Sequence, residues 1–467
     1  MTPAHSEDIH LSQVQSNIQR FFETRNASSL REFLTKYSPV DIAESFDLLP
    51  DDEKLIVFRV LPRETAATVF EYLPLATQES LIKTMAQTDL AHVLNEMAAD
   101  DRTLLLEELP ANVVQQVLAM LTPKERAVAV KLLGYPENSI GRLMTPEYVR
   151  VKPEWTVAHA LDHVRRYGKD SETLNMIYVV DDKGVLIDDL RIRSFLLADP
   201  ATKVADLMEN AFVSLKATDD EETAVAEFRR TDLQALPVTD SQGVLIGIVT
   251  VDDVLDVAER AATEDIQKIG GTAALEEPYM DVGFFTMIRK RAVWLVILFV
   301  GEMLTATAMG FFEDEIAKAV VLALFIPLII SSGGNTGSQA ATLVIRALAL
   351  GEVGLRDWWR VMRREIFSGL TLGLILGAIG FLRIALFATF SNIYGEHWLL
   401  IAFTVGFSLV GIVMWGTLTG SMLPFLMHKL GFDPAASSAP FVATLIDVTG
   451  IVIYFSFAAV FLRGTLL

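Results

Sequence analysis

Five long apolar stretches fill the C-terminal part of the chain, at about 292–312, 319–350, 366–390, 398–427 and 438–462. Each is long enough to cross the roughly 30 Å hydrocarbon core of a bilayer as a helix rising ~1.5 Å per residue. No other feature constrains the fold as much, because lipid leaves every backbone polar group to be satisfied within the chain. The fifth stretch carries one acid, Asp447, about eight residues in from Pro440. An ionised side chain at that depth costs roughly 2.5 to 3.5 kcal/mol on insertion scales, so it faces a polar partner, water or an ion. A structural acid bonded to a neighbouring Ser or Asn is the alternative.

With 467 residues and a mean hydropathy of +0.38, the chain is too long for one domain and too apolar to be wholly soluble. Residues 286–467 hold 12 Lys and Arg against 10 Asp and Glu, whereas residues 1–285 hold 27 against 49. The net charge of -20 therefore sits in the soluble half, which repels nucleic acid and attracts cations, although an acidic face often serves solvation alone. The first nineteen residues are polar and carry no apolar signal segment, so the soluble half is expected to stay on the side where it is made. Arg289, Lys290 and Arg291 precede the first stretch, and Arg356, Arg360, Arg363 and Arg364 separate the second from the third. The loop 313–318 holds three acids and one Lys, and 391–397 holds no Lys or Arg. The positive-inside rule then puts residues 1–291 in the cytosol and the C-terminus outside. With no cysteine, disulfides, thiolate metal sites and thiol catalysis are excluded.

Two repeats organise the soluble half. Leu-Pro pairs recur at Leu49-Pro50, Leu61-Pro62, Leu73-Pro74 and Leu109-Pro110, with Leu121 following in phase at the same twelve-residue step. Pro suits a first helical turn and stops the preceding helix, so the spacing predicts short helices stacked as a superhelix. Further on, Val179, Asp181, Gly184, Val185 and Leu186 match Val238, Asp240, Gly243, Val244 and Leu245, with Gly184 to Gly243 giving a step of 59 residues. Each unit reads as helix, apolar strand, Gly-containing turn, strand and helix, the last opened in the second copy by Asp252 and Asp253. This arrangement resembles a tandem pair of CBS domains, a regulatory module that often binds adenine nucleotides. The first copy departs from the pattern, with Asp188 and Asp189 where the second has Gly247 and Ile248. A connector with Glu264, Asp265, Glu276 and Glu277 follows, helical in its first half and stopped by Gly270 and Gly271.

In the membrane half, the second stretch is interrupted by Pro327 and then by nine small or polar residues from Ser331 to Gln339. The expectation is irregular backbone lining a cavity, with Asn335, Gln339 and glycine carbonyls offering oxygens; a tight helix crossing is the alternative. Magnesium sheds water reluctantly and is commonly held by one or two carboxylates with several waters retained, which suits one Asp447 per chain meeting its copy in a dimer. Thr444 and Gly450 leave a hydroxyl and room on that side. Glu302, midway along the first stretch, can line the path, pair with a polar group or stay protonated, and pairing is the favoured reading. Arg346 and Arg383 can snorkel to the headgroups.

Pro327 to Arg346, with Gly334, Asn335, Thr336, Gly337 and Gln339, followed by Pro440, Ala443, Thr444, Leu445, Asp447, Val448, Thr449 and Gly450, resembles the MgtE family of magnesium channels. The resemblance implies an all-α N-terminal superhelix (1–137), two α/β CBS domains (138–200 and 201–262), a connector or plug helix region (263–288) and a five-helix transmembrane domain (289–467). It implies a homodimeric, multi-pass channel of a bacterial inner (plasma) membrane, with Asp447, Asn335 and Gly334 at the pore ion. Cytosolic magnesium would close it at an acidic set: Asp100, Asp101, Asp220, Glu222, Asp232, Asp253, Asp256, Glu264 and Asp265. The family also admits ATP at the CBS pair in some members, for which no nucleotide-binding residues are assigned here. Rival readings are a carrier of magnesium or cobalt using the same site and a membrane-anchored nucleotide or metal sensor without transport. An enzyme is a poor third, since no His-Glu-x-x-His pair, nucleophile elbow or phosphate loop ending in Lys occurs.

Overall fold

The computed structural model describes residues 14, 16–22, 24, 26–46, 49–275, 279–280, 282–390 and 393–466. Residues 1–13 of the polar start and the connector acids Glu276 and Glu277 lie outside them. The chain divides into two compact units, Met1–Ala258 and Glu259–Leu467.

The first unit begins with short helices at the twelve-residue step, among them Asp51–Val60, Arg63–Glu71, Leu75–Thr84, Gln87–Glu96, Ala99–Glu108 and Ala111–Met120. The repeat prolines stand one position earlier than the first-turn expectation, as extended caps at Pro50, Pro62, Pro74 and Pro110. A proline there has its φ preset and no N–H to satisfy, while its carbonyl accepts the first helical N–H groups, as Pro50 does from Glu53 and Lys54. Alternate helices pack together, and the repeat leucines Leu49, Leu61, Leu73, Leu109 and Leu121 are all buried in one core. Burial of that stripe, rather than propensity, holds helices this short.

Two three-stranded sheets follow. In the first, β1 (Arg150–Val151) runs parallel to β2 (Met176–Val180), which pairs antiparallel with β3 (Leu186–Arg191). In the second, β4 (Leu215–Lys216), β5 (Ala235–Thr239) and β6 (Leu245–Thr250) repeat the pattern with the same bulge. The 59-residue step becomes a pseudo-two-fold relation in which matched residues meet. Leu186 N–H donates to Gly243 O and Leu245 N–H to Gly184 O, both at 3.0 Å, and Val185 bridges Val244. Gly184 and Gly243 sit at φ +83° and +79°, the left-handed turn conformation that lets both hairpins close.

Asp188, where the first copy departs from the second, is fully buried, and its carboxylate accepts N–H bonds from Glu209 (2.8 Å), Asn210 (2.9 Å) and Asp189 (3.0 Å). At the matching place Gly247 lets Met144 and Thr145 approach its bare Cα. The departure thus anchors the linker between the copies.

The helix Val251–Ile269 runs unbroken, so the last helix of the second copy and the first half of the connector are one element rather than two. Gly271, at φ +74°, ends it under the Trp294 ring, where a Cβ would lie 2.7 Å from Nε1. The second unit holds five helices long and apolar enough to cross a membrane: Phe284–Phe311, Val320–Ala349, Leu355–Phe390, Trp398–Lys429 and Ala439–Leu462, hereafter spans one to five.

Span two corrects the sequence expectation. Its irregular part is the 3₁₀ turn Val320–Phe325, whereas Ile326–Ala349 is continuous α-helix straight through the small and polar run. The small residues let helices touch: a Cβ on Gly420 of span four would overlap the carbonyl of Gly337, and one on Gly333 would strike Ile412 and Ile446. With the glycines turned into the bundle, Ser331, Asn335 and Gln339 stay exposed on the opposite face.

Candidate cation sites

The first site lies within the membrane helices. Asp447 is half-buried on span five; Gly334 of span two presents its bare Cα, and a Cβ there would come 3.9 Å from Asp447 Oδ1. Glu302 of span one meets the Asp447 carboxyl at hydrogen-bonding range. Asn335 is exposed one residue beyond Gly334, its amide donating to Ser331 Oγ at 3.4 Å. The Thr444 hydroxyl is turned away from this group, donating to Pro440 O at 3.0 Å. Thr449 Oγ1 instead accepts the Trp415 indole N–H at 3.0 Å. Gly334 lies inside a helical ladder that engages its carbonyl, so what it contributes beside Asp447 is space. Arg383 lies against the rings of Phe325 and Phe387, and Arg346 reaches Glu352 at 3.5 Å.

The second site is an acidic cluster in the first unit. Asp100 and Asp101 open the helix Ala99–Glu108 and meet Asp253 from the start of the helix Val251–Ile269. Asp252, Asp256, Glu172 and Glu71 bear on the same acids. Burial, then Asp253, Asp101 and Glu172, hold the Asp100 carboxyl well above its ordinary value. Burial likewise pushes Glu71 and Asp253 up to about 7 and Asp101 to about 6. The Asp253 carboxylate accepts the Thr250 hydroxyl at 2.6 Å, and Glu71 accepts Ala98 N–H at 3.0 Å. Arg102, fully buried, is committed elsewhere, to Glu125 at 2.6 Å and to the carbonyls of Leu94 and Met97.

Not all sequence-assigned acids converge. Asp220 caps the helix Glu221–Thr231, accepting Glu222 N–H at 2.9 Å, while Asp232 ends it in the left-handed conformation. The two ends of that helix are roughly 16 Å apart at 1.5 Å per residue, so Asp220 and Asp232 cannot share an ion. Glu264 and Asp265 belong to a third group, in the second unit. Lys268 bridges Glu264 (2.5 Å) and Asp433 (2.6 Å), and Asp265, raised chiefly by burial, also feels Asp433. Glu71, Glu172 and Asp433 were not singled out in the sequence, where each is an ordinary acid in a polar context. Among the described residues no three His, Asp or Glu side chains are disposed as a metal's full ligand set.

Among the described residues, five membrane-length helices and a first unit of stacked helices and two three-stranded sheets define a multi-pass membrane protein. A family model described as the divalent cation transporter MgtE matches residues 326–457, the MgtE intracellular N domain matches 37–138, and CBS domains match 140–198 and 204–260. The chain is 43% identical over 350 residues to the magnesium transporter MgtE of Thermus thermophilus, covering 75% of this chain and 76% of that one. It is 32% identical over 347 residues to that of Bacillus subtilis, covering 74% and 75%. Among solved structures it resembles the cytosolic domain of the Mg2+ channel MgtE in complex with ATP, at TM-score 0.50 and 37% identity, over 52% of this chain and 99% of that one. It also resembles the soluble part of a magnesium transporter, at TM-score 0.51 and 25% identity, over 54% and 99%. The chain belongs to the MgtE family of divalent cation transporters.

Proposed function

We propose that the chain is a magnesium-selective channel, homodimeric in a bacterial inner membrane, with its N-terminus cytosolic and its C-terminus outside. The reading is carried by Asp447: an acid inside an otherwise apolar helix, facing the small Gly334 and a second carboxylate rather than a sealed Ser or Asn contact. A hydrated Mg2+ needs one or two carboxylates and space for retained water, and that is what Asp447 and the bare Cα of Gly334 supply, with Asn335 exposed one residue further along span two. Identity to magnesium transporters across three quarters of the chain supports the choice of ion.

In this reading Mg2+ on the soluble side closes the path. Asp100, Asp101, Asp253 and Asp256 repel one another, and an ion among them removes the repulsion between the superhelix and the second CBS copy. Glu264 and Asp265, with Asp433, act at the connector, and Asp220, Glu222 and Asp232 contribute as separate acids. ATP at the CBS pair is supported by two atoms: Tyr178 Oη and Asp189 Oδ2 are buried without hydrogen-bond partners among the described residues, the kind of groups a nucleobase edge satisfies. Asp188 is not available, being committed to the linker. ATP titration should give saturable binding that Asp189→Ala weakens, and equal binding by both proteins would remove this assignment.

The transport test is magnesium-dependent growth of a transport-deficient bacterium together with currents from purified protein in bilayers. Growth rescue with unitary Mg2+ currents is expected; saturable flux without unitary currents would make the protein a carrier.

A further inference from the structure

Span one is the least covered of the five helices, packing chiefly on span five. The two are drawn together at Gly301, where a Cβ would lie 2.9 Å from Thr444 Cγ2. That close approach places the next residue, Glu302, against Asp447. Glu302 is exposed on the chain, ten residues into the stretch 292–312 and hence at mid-membrane depth. A carboxylate exposed to lipid there would cost roughly 2.5 to 3.5 kcal/mol, so this face does not face lipid. Ser331, Asn335 and Gln339 are exposed at membrane depth as well, which makes a polar strip out of residues from three helices.

We infer that Glu302 is a second carboxylate of the transported ion's site, setting affinity for Mg2+ and its discrimination against monovalent ions alongside Asp447. This rests on reading Asp447 as an ion-path residue. Once an ion displaces the proton that the pair shares, two carboxylates from one chain offer it twice the charge of Asp447 alone, and a divalent ion gains more from that charge than Na+ does. A purely structural pair makes a different prediction, because a Gln at 302 keeps a hydrogen bond to Asp447 and removes only the charge.

The test uses the full chain in liposomes. Glu302→Gln should raise the Mg2+ concentration for half-maximal flux by about tenfold and let Na+ permeate, with maximal flux retained, as expected when one charged oxygen ligand is lost. Glu302→Asp should restore much of the discrimination. Wild-type half-saturation and Mg2+/Na+ selectivity in Glu302→Gln would overturn the inference while leaving the Asp447 reading intact. Undiminished flux in Asp447→Asn would instead remove the underlying reading. A second measurement needs no variant: a hydrophobic carbodiimide should label Glu302 in the unmodified protein, detected by mass spectrometry, and Mg2+ should suppress that adduct several-fold, as for a carboxylate that ligates the ion. Equal labelling with and without Mg2+ would overturn the inference.

Discussion

Arg102 and the acids near it divide the soluble half's charges into those that stabilise and those that stay in conflict. The guanidinium is fully buried, with Glu125 at 2.6 Å and two backbone carbonyls as partners. Its loss leaves Glu125 to Lys124 at 3.2 Å and unpairs those carbonyls, so Arg102→Ala should destabilise the soluble half by about 3 kcal/mol in chemical denaturation. Burial and neighbouring acids outweigh the pull of Arg102 on Glu71, so the carboxyls of Asp100, Asp101, Asp253 and Glu71 hold protons more tightly folded than unfolded. Between about pH 4 and pH 7 the folded unit therefore carries more protons than the unfolded one, and stability falls as pH rises through that window. Thermal melts without Mg2+ should show highest stability near pH 4 and a progressive loss as pH rises through about pH 7, with Mg2+ restoring stability at pH 8. Asp100→Asn should flatten both dependences; an unchanged pH profile would mean that the acids do not meet. Glu172, Asp252 and Asp256 add further negative charge to this group, and the Arg102 guanidinium lowers Glu71 by less than burial raises it, so the sign stands.

Elements differ in how far their sequences announced them. The twelve-residue leucines and the 59-residue glycine step were readable because each repeat must bury the same positions against the next copy, as Leu61 and the Gly184–Gly243 exchange do. The five membrane helices were readable because lipid forces apolar length. Span one extends back to Phe284 and carries its basic cluster inside the helix, a boundary that hydropathy alone does not mark. Span two was misread as broken backbone because Gly and Ser lower helix propensity, yet the interlocked glycines of spans two and four restore it through contact. Gly420→Ala should therefore destabilise the bundle by about 1 to 3 kcal/mol, seen as a lower melting temperature in detergent, whereas Gln339→Ala on the exposed face should not. In the membrane half the sequence drew attention to Asp447 and Asn335. Glu302 was singled out as well, whereas Glu172 and Asp433, in the two other acid groups, became partners only through tertiary packing, which leaves no local pattern.

For the whole molecule, the unbroken helix Val251–Ile269 carries Asp253 and Asp256 at one end and Glu264 and Lys268 at the other. The proposed ion near its start and the Lys268 bridge to Asp433 near its end lie along that one helix. Millimolar Mg2+ should protect the chain around Glu264 from proteolysis, with Asp253→Asn and Asp256→Asn weakening that protection; equal cleavage with and without Mg2+ would remove closure by the soluble half. Conduction itself stands or falls on span five. The most direct measurement is Mg2+ entry into liposomes carrying the purified protein, followed with an internal Mg2+-sensitive dye. Wild-type protein should admit Mg2+ and Asp447→Asn should fall to the level of protein-free vesicles while still folding, and Mg2+ entry through Asp447→Asn at the wild-type rate would contradict the account.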